Sequence, residues 1–205
     1  SDLLDDYYKN YYWKSRGNKI YGTTVRDFIH FEILKKYIPN VFTKGKTFLN
    51  YGAGHAGISN ILLLNNFNII NVEKSSLPDF YNRNWITYKD INEVPDKSVD
   101  IFYASHSLEH VQNIEIFIKE VIRTIKSDAI LFFEVPNGAH KKNGLQTGKV
   151  DIPHTYYFLN IFFENLFDIT ILNKCYDQNL NFSIDNWESL ENPEGEVIRA
   201  LGKII

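Results

Sequence analysis

Three glycines, Gly52, Gly54 and Gly57, crowd the segment LNYGAGHAGIS at residues 49–59, directly behind a short apolar run. Glycine loses more conformational freedom on folding than other residues, so it is usually present where the geometry requires it. The requirement is either a tight strand-to-helix turn or the close approach of a ligand to bare backbone. In an open parallel sheet, ligands bind at the carboxyl ends of the strands, beside turns of this kind. The segment therefore predicts a candidate site for a nucleotide-like ligand.

Two acidic residues follow at spacings that suit a nucleoside. Glu73 ends the run IINVE, roughly twenty residues beyond the glycines, where a carboxylate can accept hydrogen bonds from both ribose hydroxyls. Asp90 follows the next apolar run, within YKDI, and is placed to reach an adenine amino group. Either acid alone is typical of a turn or a helix cap. Together, in this order, they strengthen the prediction of a nucleoside site.

The segment HSLEH at 106–110 indicates a different chemistry, because it matches the H-x-x-E-H pattern of zinc peptidases. Two histidines four residues apart on a helix can share one metal ion, with the glutamate as the base. Here His106 falls where a strand is predicted to end, and no third ligand follows in a helical context. We therefore predict no metal site and keep a zinc hydrolase as an alternative function. We expect Ser105 or Ser107 to cap the next helix.

Short apolar runs alternate with amphipathic stretches, which is the pattern of a parallel sheet with crossover helices. Helices are predicted at about 22–39, 55–67, 113–128 and 156–167, the first of them stopped by Pro39. Strands are predicted at about 47–51, 69–73, 85–88, 99–105, 129–135, 167–175 and 196–204. The glycine turn and both acids then follow the first three strands.

Four pieces of this chain, FLNYGAGHAG, NVEKS, YKDI and SVDIFYASHSLEHV, resemble the class I S-adenosylmethionine-dependent methyltransferases, specifically the small-molecule group. The resemblance spans residues 47 to about 140. It implies an α/β, Rossmann-like, mostly parallel sheet of seven strands in the order 3-2-1-4-5-7-6, with helices on both faces. It also implies a single compact domain, in which residues 46–205 bind the cofactor and residues 1–45 form an N-terminal helical lid.

The resemblance further implies S-adenosyl-L-methionine as the cofactor and a set of residues that bind it. Departures from the family pattern occur at Asn50, where an acid is common, and at Ala56, where a glycine is common. They support an alternative function, a catalytically silent methyltransferase-like binding protein. A nicotinamide dehydrogenase shares the glycine turn and the ribose acid, but its G-x-G-x-x-G fingerprint is not matched. The predicted cofactor-binding residues are Asn50, Gly52, Ala53, Gly54, Glu73, Lys74, Asp90, Ile91, Ser105, His106 and His110.

Methyl transfer requires an acceptor aligned with the methyl carbon and, for a hydroxyl acceptor, a base. The long segment after the fifth predicted strand ends in His154, which is predicted as the base because histidine is a residue type suited to proton transfer. Glu134 is the second base candidate. Transfer to oxygen on a small polar acceptor is favoured, with a sugar or polysaccharide precursor as the expected class. The predicted acceptor-binding residues are Tyr12, Trp13, Arg16, Asn137 and Tyr156.

The overall composition narrows the partners. A net charge of −3 gives no electrostatic reason to expect nucleic acid or a membrane surface as a partner. A single cysteine, Cys175, cannot form an internal disulfide and fits a reducing cytoplasm. The expected partner is therefore a small-molecule acceptor, and the sequence is compatible with a homodimer.

Overall fold

The computed structural model of the chain describes residues 23–75, 84–141, 154–175 and 195–205. One mixed sheet dominates these ranges. Its strands are β1 (Thr47–Tyr51), β2 (Asn68–Val72), β3 (Ile86–Tyr88), β4 (Val99–Ser105), β5 (Ile125–Pro136), β6 (Phe167–Cys175) and β7 (Val197–Ile204).

The sheet has the order β3-β2-β1-β4-β5-β7-β6, which confirms the predicted topology. Strands β1 to β5 pair in parallel. Strand β7 runs antiparallel between β5 and β6. Because the chain winds outward in both directions from the β1–β4 pair, the carboxyl ends of these two central strands open a crevice between them.

Four helices cover the sheet in the described ranges: α1 (Val25–Tyr37), α2 (Gly57–Leu64), α3 (Ile114–Thr124) and α4 (Asn160–Glu164). Helix α1 begins with a capping box, in which the Thr24 hydroxyl and the Asp27 carboxylate satisfy each other's backbone N–H groups. The Asn113 side chain caps α3 by accepting from the N–H of Ile116. No helix in these ranges combines the length and apolar character needed to cross a bilayer.

Two apolar cores, one on each face, hold the layers together. Helices α1 and α2 pack on one face through residues such as Leu34, Ile58 and Leu62. Helices α3 and α4 pack on the other through residues such as Val121 and Phe163. Residues 25–37 of the predicted N-terminal extension thus belong to the core of the sheet domain.

Helix α2 starts at a strained turn. Ala56, its N-cap, has a φ of 53°, the left-handed region that favours glycine. The glycine follows at Gly57, where an added Cβ would lie 2.3 Å from a carboxylate oxygen of Asp27 in α1. A side chain at position 57 would displace the Asp27 carboxylate that caps α1, which favours glycine there, and Ala56 adopts the left-handed backbone one residue earlier.

Helix α4 is shorter than the predicted 156–167 helix because its first residues hydrogen-bond elsewhere. The N–H groups of Thr155 and Tyr156 donate to the carbonyl of Glu109 at 2.7 and 3.2 Å. The N–H of Gly138 donates to the carbonyl of Phe158. Residues 154–158 therefore lie against the 3₁₀ turn after β4 and bring His154 to the carboxyl edge of the sheet.

Candidate active site

A cavity of about 440 Å³ opens at the carboxyl ends of β1, β2, β3 and β4. The glycine turn, the segment after β2, the turn after β3 and the turn after β4 all contribute to its wall. The cavity thus gathers residues that are far apart in the chain. The predicted cofactor residues that line it are Gly52, Gly54, Glu73, Lys74, Asp90, Ile91, His106 and His110.

The glycine turn is held mainly by contacts within the protein. The N–H groups of Gly52 and Ala53 donate to the carbonyl of Val72, at 2.9 and 3.2 Å. Gly52 has a φ of +66°, and an added Cβ would lie 2.4 Å from the Cβ of Ser107. The close approach that requires glycine at position 52 is therefore an approach to Ser107. A ligand at this turn would meet carbonyl oxygens and Cα atoms, since these amides are already bonded.

Glu73 lies at the mouth of the cavity in a fixed orientation. Its Oε2 accepts from the N–H of Gly54 at 2.7 Å, and its Oε1 accepts from the N–H and hydroxyl of Ser75 at 3.0 and 2.6 Å. A carboxylate offers about four acceptor positions. Three are used, so Oε2 keeps room for one more donor, which suits one ribose hydroxyl better than two.

Asp90 lines the cavity beside Glu73, at the end of β3. Its Oδ1 accepts from the N–H of Asn92 at 3.1 Å and caps the 3₁₀ turn Ile91–Glu93. Ile91 is buried and lines the same wall. A half-buried acid beside an apolar side chain can accept from an exocyclic amino group while the side chain contacts the ring, as predicted for an adenine edge.

Asn50 lies away from the cavity, under helix α2. Its Nδ2 donates to the Ser59 hydroxyl at 2.9 Å, and that hydroxyl donates to Asn71 Oδ1 at 2.6 Å. All three side chains are buried. In this structure Asn50 connects β1, α2 and β2, and Ala53 is likewise buried outside the cavity lining.

Glu134 lies in a buried charged cluster at the end of β5. Its Oε2 accepts from His30 Nε2 at 2.9 Å and from Arg199 Nε, and its Oε1 accepts from the Ser105 hydroxyl at 2.9 Å. Arg26 lies 3.6 Å from the same oxygen. Burial raises the pKa of Glu134, but the charge of Arg199 and the interactions with His30 and His106 together outweigh it and hold that pKa well below its usual value. A carboxylate so stabilised is a weak proton acceptor, which disfavours the predicted base role.

His30 extends this cluster into helix α1. Because the carboxylate can only accept, His30 Nε2 carries the proton, and Nδ1 of the neutral ring accepts from the Tyr103 hydroxyl at 2.8 Å. Burial lowers the pKa of His30 further than the charge of Glu134 raises it. Burial also raises the pKa of Tyr103 well above its usual value. The ring and the phenol are therefore neutral hydrogen-bonding groups around one buried anion.

Ser105 or Ser107 was predicted to cap the next helix, and Ser107 does occupy the N-cap position of the 3₁₀ turn, but without a capping hydrogen bond from its side chain. Ser105 donates to Glu134, and Ser107 donates to the carbonyl of Tyr51 at 2.9 Å. HSLEH forms a 3₁₀ turn at Leu108–His110, preceded by His106 with a φ of 51°. The two histidines consequently do not share the face of an α-helix, and the arrangement of zinc peptidases is absent from this turn.

Instead, the turn after β4 meets the segment before α4. Glu109, His110 and His154 each place one ligand-type atom within 4.8 Å of the others. The rings of His110 and His154 lie 4.8 Å apart between centroids. Glu109 is buried, whereas both histidines are half-buried. Since His110 lines the cavity, this cluster stands at its rim.

The predicted acceptor residues fall in three places. Asn137 is buried, and its side chain donates to the carbonyl of Gly195 at 2.8 Å, which joins the ends of β5 and β7. The hydroxyl of Tyr156 donates to the carbonyl of Gln112 at 3.3 Å and accepts from the N–H of Ile114 at 3.2 Å. Tyr12, Trp13 and Arg16 lie outside the described residues.

Sequence reasoning missed the partners of Glu134 and the contribution of α3 to the cavity. His30 and Arg199 are 104 and 65 residues from Glu134 in the chain, so no local pattern joins them. The start of α3 lines the cavity with Asn113, Ile116 and Phe117. Ile116 is an apolar residue next to polar ones, and in the structure it is exposed. This is the one local sign that this end of the helix faces a ligand.

Comparison with known proteins gives a family and a fold. The family described as Methyltransferase domain matches residues 22–191. A S-adenosylmethionine-dependent methyltransferase from Archaeoglobus fulgidus is 17% identical, with a TM-score of 0.64 over 94% of this chain and 99% of that chain. Another such methyltransferase, from Mesorhizobium loti, is 14% identical, with a TM-score of 0.60 over 84% and 96%.

A third similar structure holds ligands. It is a phosphoethanolamine N-methyltransferase of Haemonchus contortus in complex with phosphomonomethylethanolamine and S-adenosylhomocysteine. It is 14% identical, with a TM-score of 0.59 over 85% of this chain and 52% of that chain. Comparison with curated proteins gives no match. At these identities the solved structures support the fold alone.

Proposed function

This chain belongs to the methyltransferase domain family, and on that premise we propose that it transfers a methyl group from S-adenosylmethionine to a small polar acceptor. The cavity at the carboxyl ends of β1 to β4 is the proposed cofactor site. It lies where ligands bind in open α/β sheets, and its wall joins the glycine turn to an acid on the neighbouring strand.

The orientation of Glu73 is the observation that carries this proposal. Three donors from Gly54 and Ser75 fix the carboxylate before any ligand binds. Its remaining acceptor position on the cavity side suits a ribose hydroxyl. Asp90 and Ile91, one strand further out, suit the amino group and the face of an adenine ring. The two acids thus hold the nucleoside in one orientation, which points its sulfonium end toward the turn after β4.

When bound, S-adenosylmethionine supplies a methyl group already activated on a sulfonium sulfur. The chain then has to align the acceptor, exclude water and handle the proton that a hydroxyl acceptor loses. His106 and His110 line the cavity on the side of the β4 turn, and the ring of His154 lies 4.8 Å from that of His110 between centroids. His154 was predicted as the base, and its position beside the cavity is compatible with that role.

We propose oxygen as the acceptor atom, with a sugar or polysaccharide precursor as the first acceptor class to test. A nearby imidazole is matched to removing a hydroxyl proton near neutral pH. In the part of the chain that the structure describes, three acids and two lysines line the cavity, and this nearly balanced charge suits a neutral polyol as acceptor. The second candidate, a catalytically silent binding protein, is favoured by Asn50, which lies under α2 instead of lining the cavity.

Calorimetric titration with S-adenosylmethionine tests the proposal. Glu73→Ala should weaken binding roughly 5- to 150-fold, the cost of about 1–3 kcal/mol for removing a buried hydrogen-bonding partner. Glu73→Gln keeps the shape of the side chain and one acceptor oxygen, so its affinity should lie between those of the parent and of Glu73→Ala. Glu164→Ala, which removes an exposed carboxylate from α4, serves as the matched control and should bind like the parent.

The outcomes separate the candidates. No binding by the parent protein would overturn the proposed function. Unchanged affinity in both Glu73 variants would remove the ribose role of that residue. Binding with no transfer of labelled methyl groups to sugars, sugar nucleotides or other small polyols would favour the silent protein.

A further inference from the structure

We propose that Glu109, His110 and His154 bind a divalent first-row transition-metal cation at the rim of the cavity. The three residues come from two segments that are 44 positions apart, yet one ligand-type atom from each lies within 4.8 Å of the others. The His110 Nε2 lies 3.8 Å from Glu109 Oε1. Two imidazoles and a carboxylate therefore converge on one point.

Glu109 gives an independent reason to expect a cation there. The residue is 1% exposed, and among the described residues neither carboxylate oxygen has a hydrogen-bond partner. The nearest cationic-type atoms, on His106 and His110, are 3.5 and 3.8 Å away. Burying a carboxylate without partners costs several kcal/mol unless a charge compensates it. A metal ion bound to Glu109 would supply that charge.

The fold holds the ligands by backbone contacts that do not depend on a metal. The carbonyl of Glu109 accepts from the N–H groups of Thr155 and Tyr156. This places His154, the preceding residue, against the 3₁₀ turn that carries Glu109 and His110. The Tyr156 hydroxyl ties the same segment to the start of α3. The backbones that carry the ligands are thus fixed.

The donor set decides the class of cation. Imidazole suits zinc, iron, copper and nickel, whereas magnesium and calcium prefer oxygen ligands alone. Zinc with nitrogen and oxygen ligands at about 2.0–2.2 Å needs donor atoms roughly 3.3 Å apart. The donor atoms lie within 4.8 Å of one another, so binding of zinc would require them to approach by at most about 1.5 Å. Three protein ligands leave coordination positions open, as in catalytic metal sites.

An open coordination position deepens the proposed function, on which this step rests. A metal-bound hydroxyl has a lowered pKa and gives up its proton to water more readily. The alkoxide oxygen then forms a C–O bond with the methyl carbon while the C–S bond breaks, and the electron pair of that bond stays on sulfur. In this arrangement His154 holds the cation, in place of the base role predicted from the sequence.

Zinc binding can be measured without any enzymatic assay. Protein stripped with a chelator is titrated with Zn²⁺ by calorimetry, and Co²⁺ is used to record the visible absorption of a bound ion. We expect one Zn²⁺ per chain and a cobalt spectrum that Zn²⁺ abolishes. Glu109→Gln and His154→Ala should each weaken Zn²⁺ binding at least roughly 10-fold, the least effect seen even for partners one shell removed from a metal.

His55→Ala is the matched control, because it removes a histidine outside the cluster and should retain one tight Zn²⁺ site. Thermal unfolding of each variant without metal shows whether it is folded. The proposal is overturned if the parent binds no stoichiometric Zn²⁺, or if folded Glu109→Gln and His154→Ala variants bind it like the parent.

Titration with S-adenosylhomocysteine separates this inference from the proposed function. If the protein binds the cofactor but not Zn²⁺, the metal-site proposal is refuted and the methyltransferase proposal stands. If it binds Zn²⁺ but not the cofactor, the methyltransferase proposal is refuted and the metal-site proposal stands. If an acceptor is found, chelation should abolish turnover and added metal should restore it. Full turnover in chelator that is lost only in His154→Ala would return His154 to the role of base and refute its catalytic use of a metal.

Discussion

Two glutamates at the carboxyl edge of the sheet are equally buried but have opposite surroundings. Glu134, at the end of β5, accepts from His30, Ser105 and Arg199. Glu109, in the turn after β4, has no hydrogen-bond partner for its carboxylate among the described residues. His106 lies between them, 3.4 Å from Glu134 Oε1 and 3.5 Å from Glu109 Oε1.

The difference separates a structural charge from one available to a ligand. Glu134 joins β5 to β4, β7 and α1, and its satisfied oxygens leave little capacity for a substrate. Glu109 is held by its backbone, so its carboxylate is left without a role in the fold. A buried charge without a partner is costly, and natural proteins keep such groups mainly at functional sites.

Removing the charge of Glu134 should have the largest effect. Glu134→Gln leaves Arg199, 3% exposed, as an uncompensated buried cation. We expect the free energy of unfolding to fall by about 3–5 kcal/mol, the usual cost of breaking a buried ion pair from one side. Urea denaturation followed by circular dichroism measures it.

Two variants sharpen that result. Glu32→Gln removes an exposed carboxylate that lies 3.8 Å from Lys35, and it should cost less than about 1 kcal/mol. The double variant Glu134→Gln/Arg199→Met also removes the buried cation that Glu134→Gln leaves without a counter-charge. It should recover part of the lost free energy of unfolding. A Glu134→Gln protein as stable as the parent would contradict the structural role.

The same cluster should make stability depend on pH with a defined sign. Burial lowers the pKa of His30 below its ordinary 6.5. As the pH falls, the His30 side chain is therefore protonated more readily in the unfolded chain than in the folded chain. Stability contributed by this group is present above pH 6.5 and is lost as the pH falls below it. Glu134, whose pKa is lowered by Arg199 despite its burial, adds a further loss below pH 4.5.

The pKa shift of each group should change the free energy of unfolding by up to about 1.4 kcal/mol per pH unit, within the pH range given above for that group. Denaturation midpoints of the parent and of His30→Gln, measured from neutral to acid pH, check the first window. His30→Gln should be less stable at neutral pH and lose stability less steeply just below pH 6.5. Equal slopes in the two proteins would show that His30 is not buried as a neutral ring.

Neutralising Glu109 should cause the smallest loss of stability, namely none. In metal-free protein, Glu109→Gln removes a buried charge that makes no hydrogen bond among the described residues. We expect the free energy of unfolding to stay the same or to rise, because the variant removes the cost of burying that charge. Differential scanning calorimetry without metal measures it. A loss as large as that of Glu134→Gln would mean that Glu109 is a structural charge too, and the contrast between the two glutamates would disappear.

The strands could be predicted because their signals are local, whereas their order in the sheet was implied by the resemblance to a known family. Each strand is a short apolar run, and the turn residues between them lie beside one another in the sequence. The elements that were misjudged, a longer β5 and a shorter α4, depend on partners far along the chain. Tyr156, the first residue of the predicted helix, lies outside α4 because its N–H group donates to the carbonyl of Glu109.

The candidate site shows the same division between features set by local signals and features set by partners far along the chain. Local patterns were enough to predict the parallel sheet, the glycine turn and the two acids at the ends of β2 and β3, because parallel strands bring their carboxyl ends to one edge. Which of the two buried glutamates has hydrogen-bond partners could be read only from the folded chain. The partners of a buried charge come from any part of the chain, and their distances are fixed by packing.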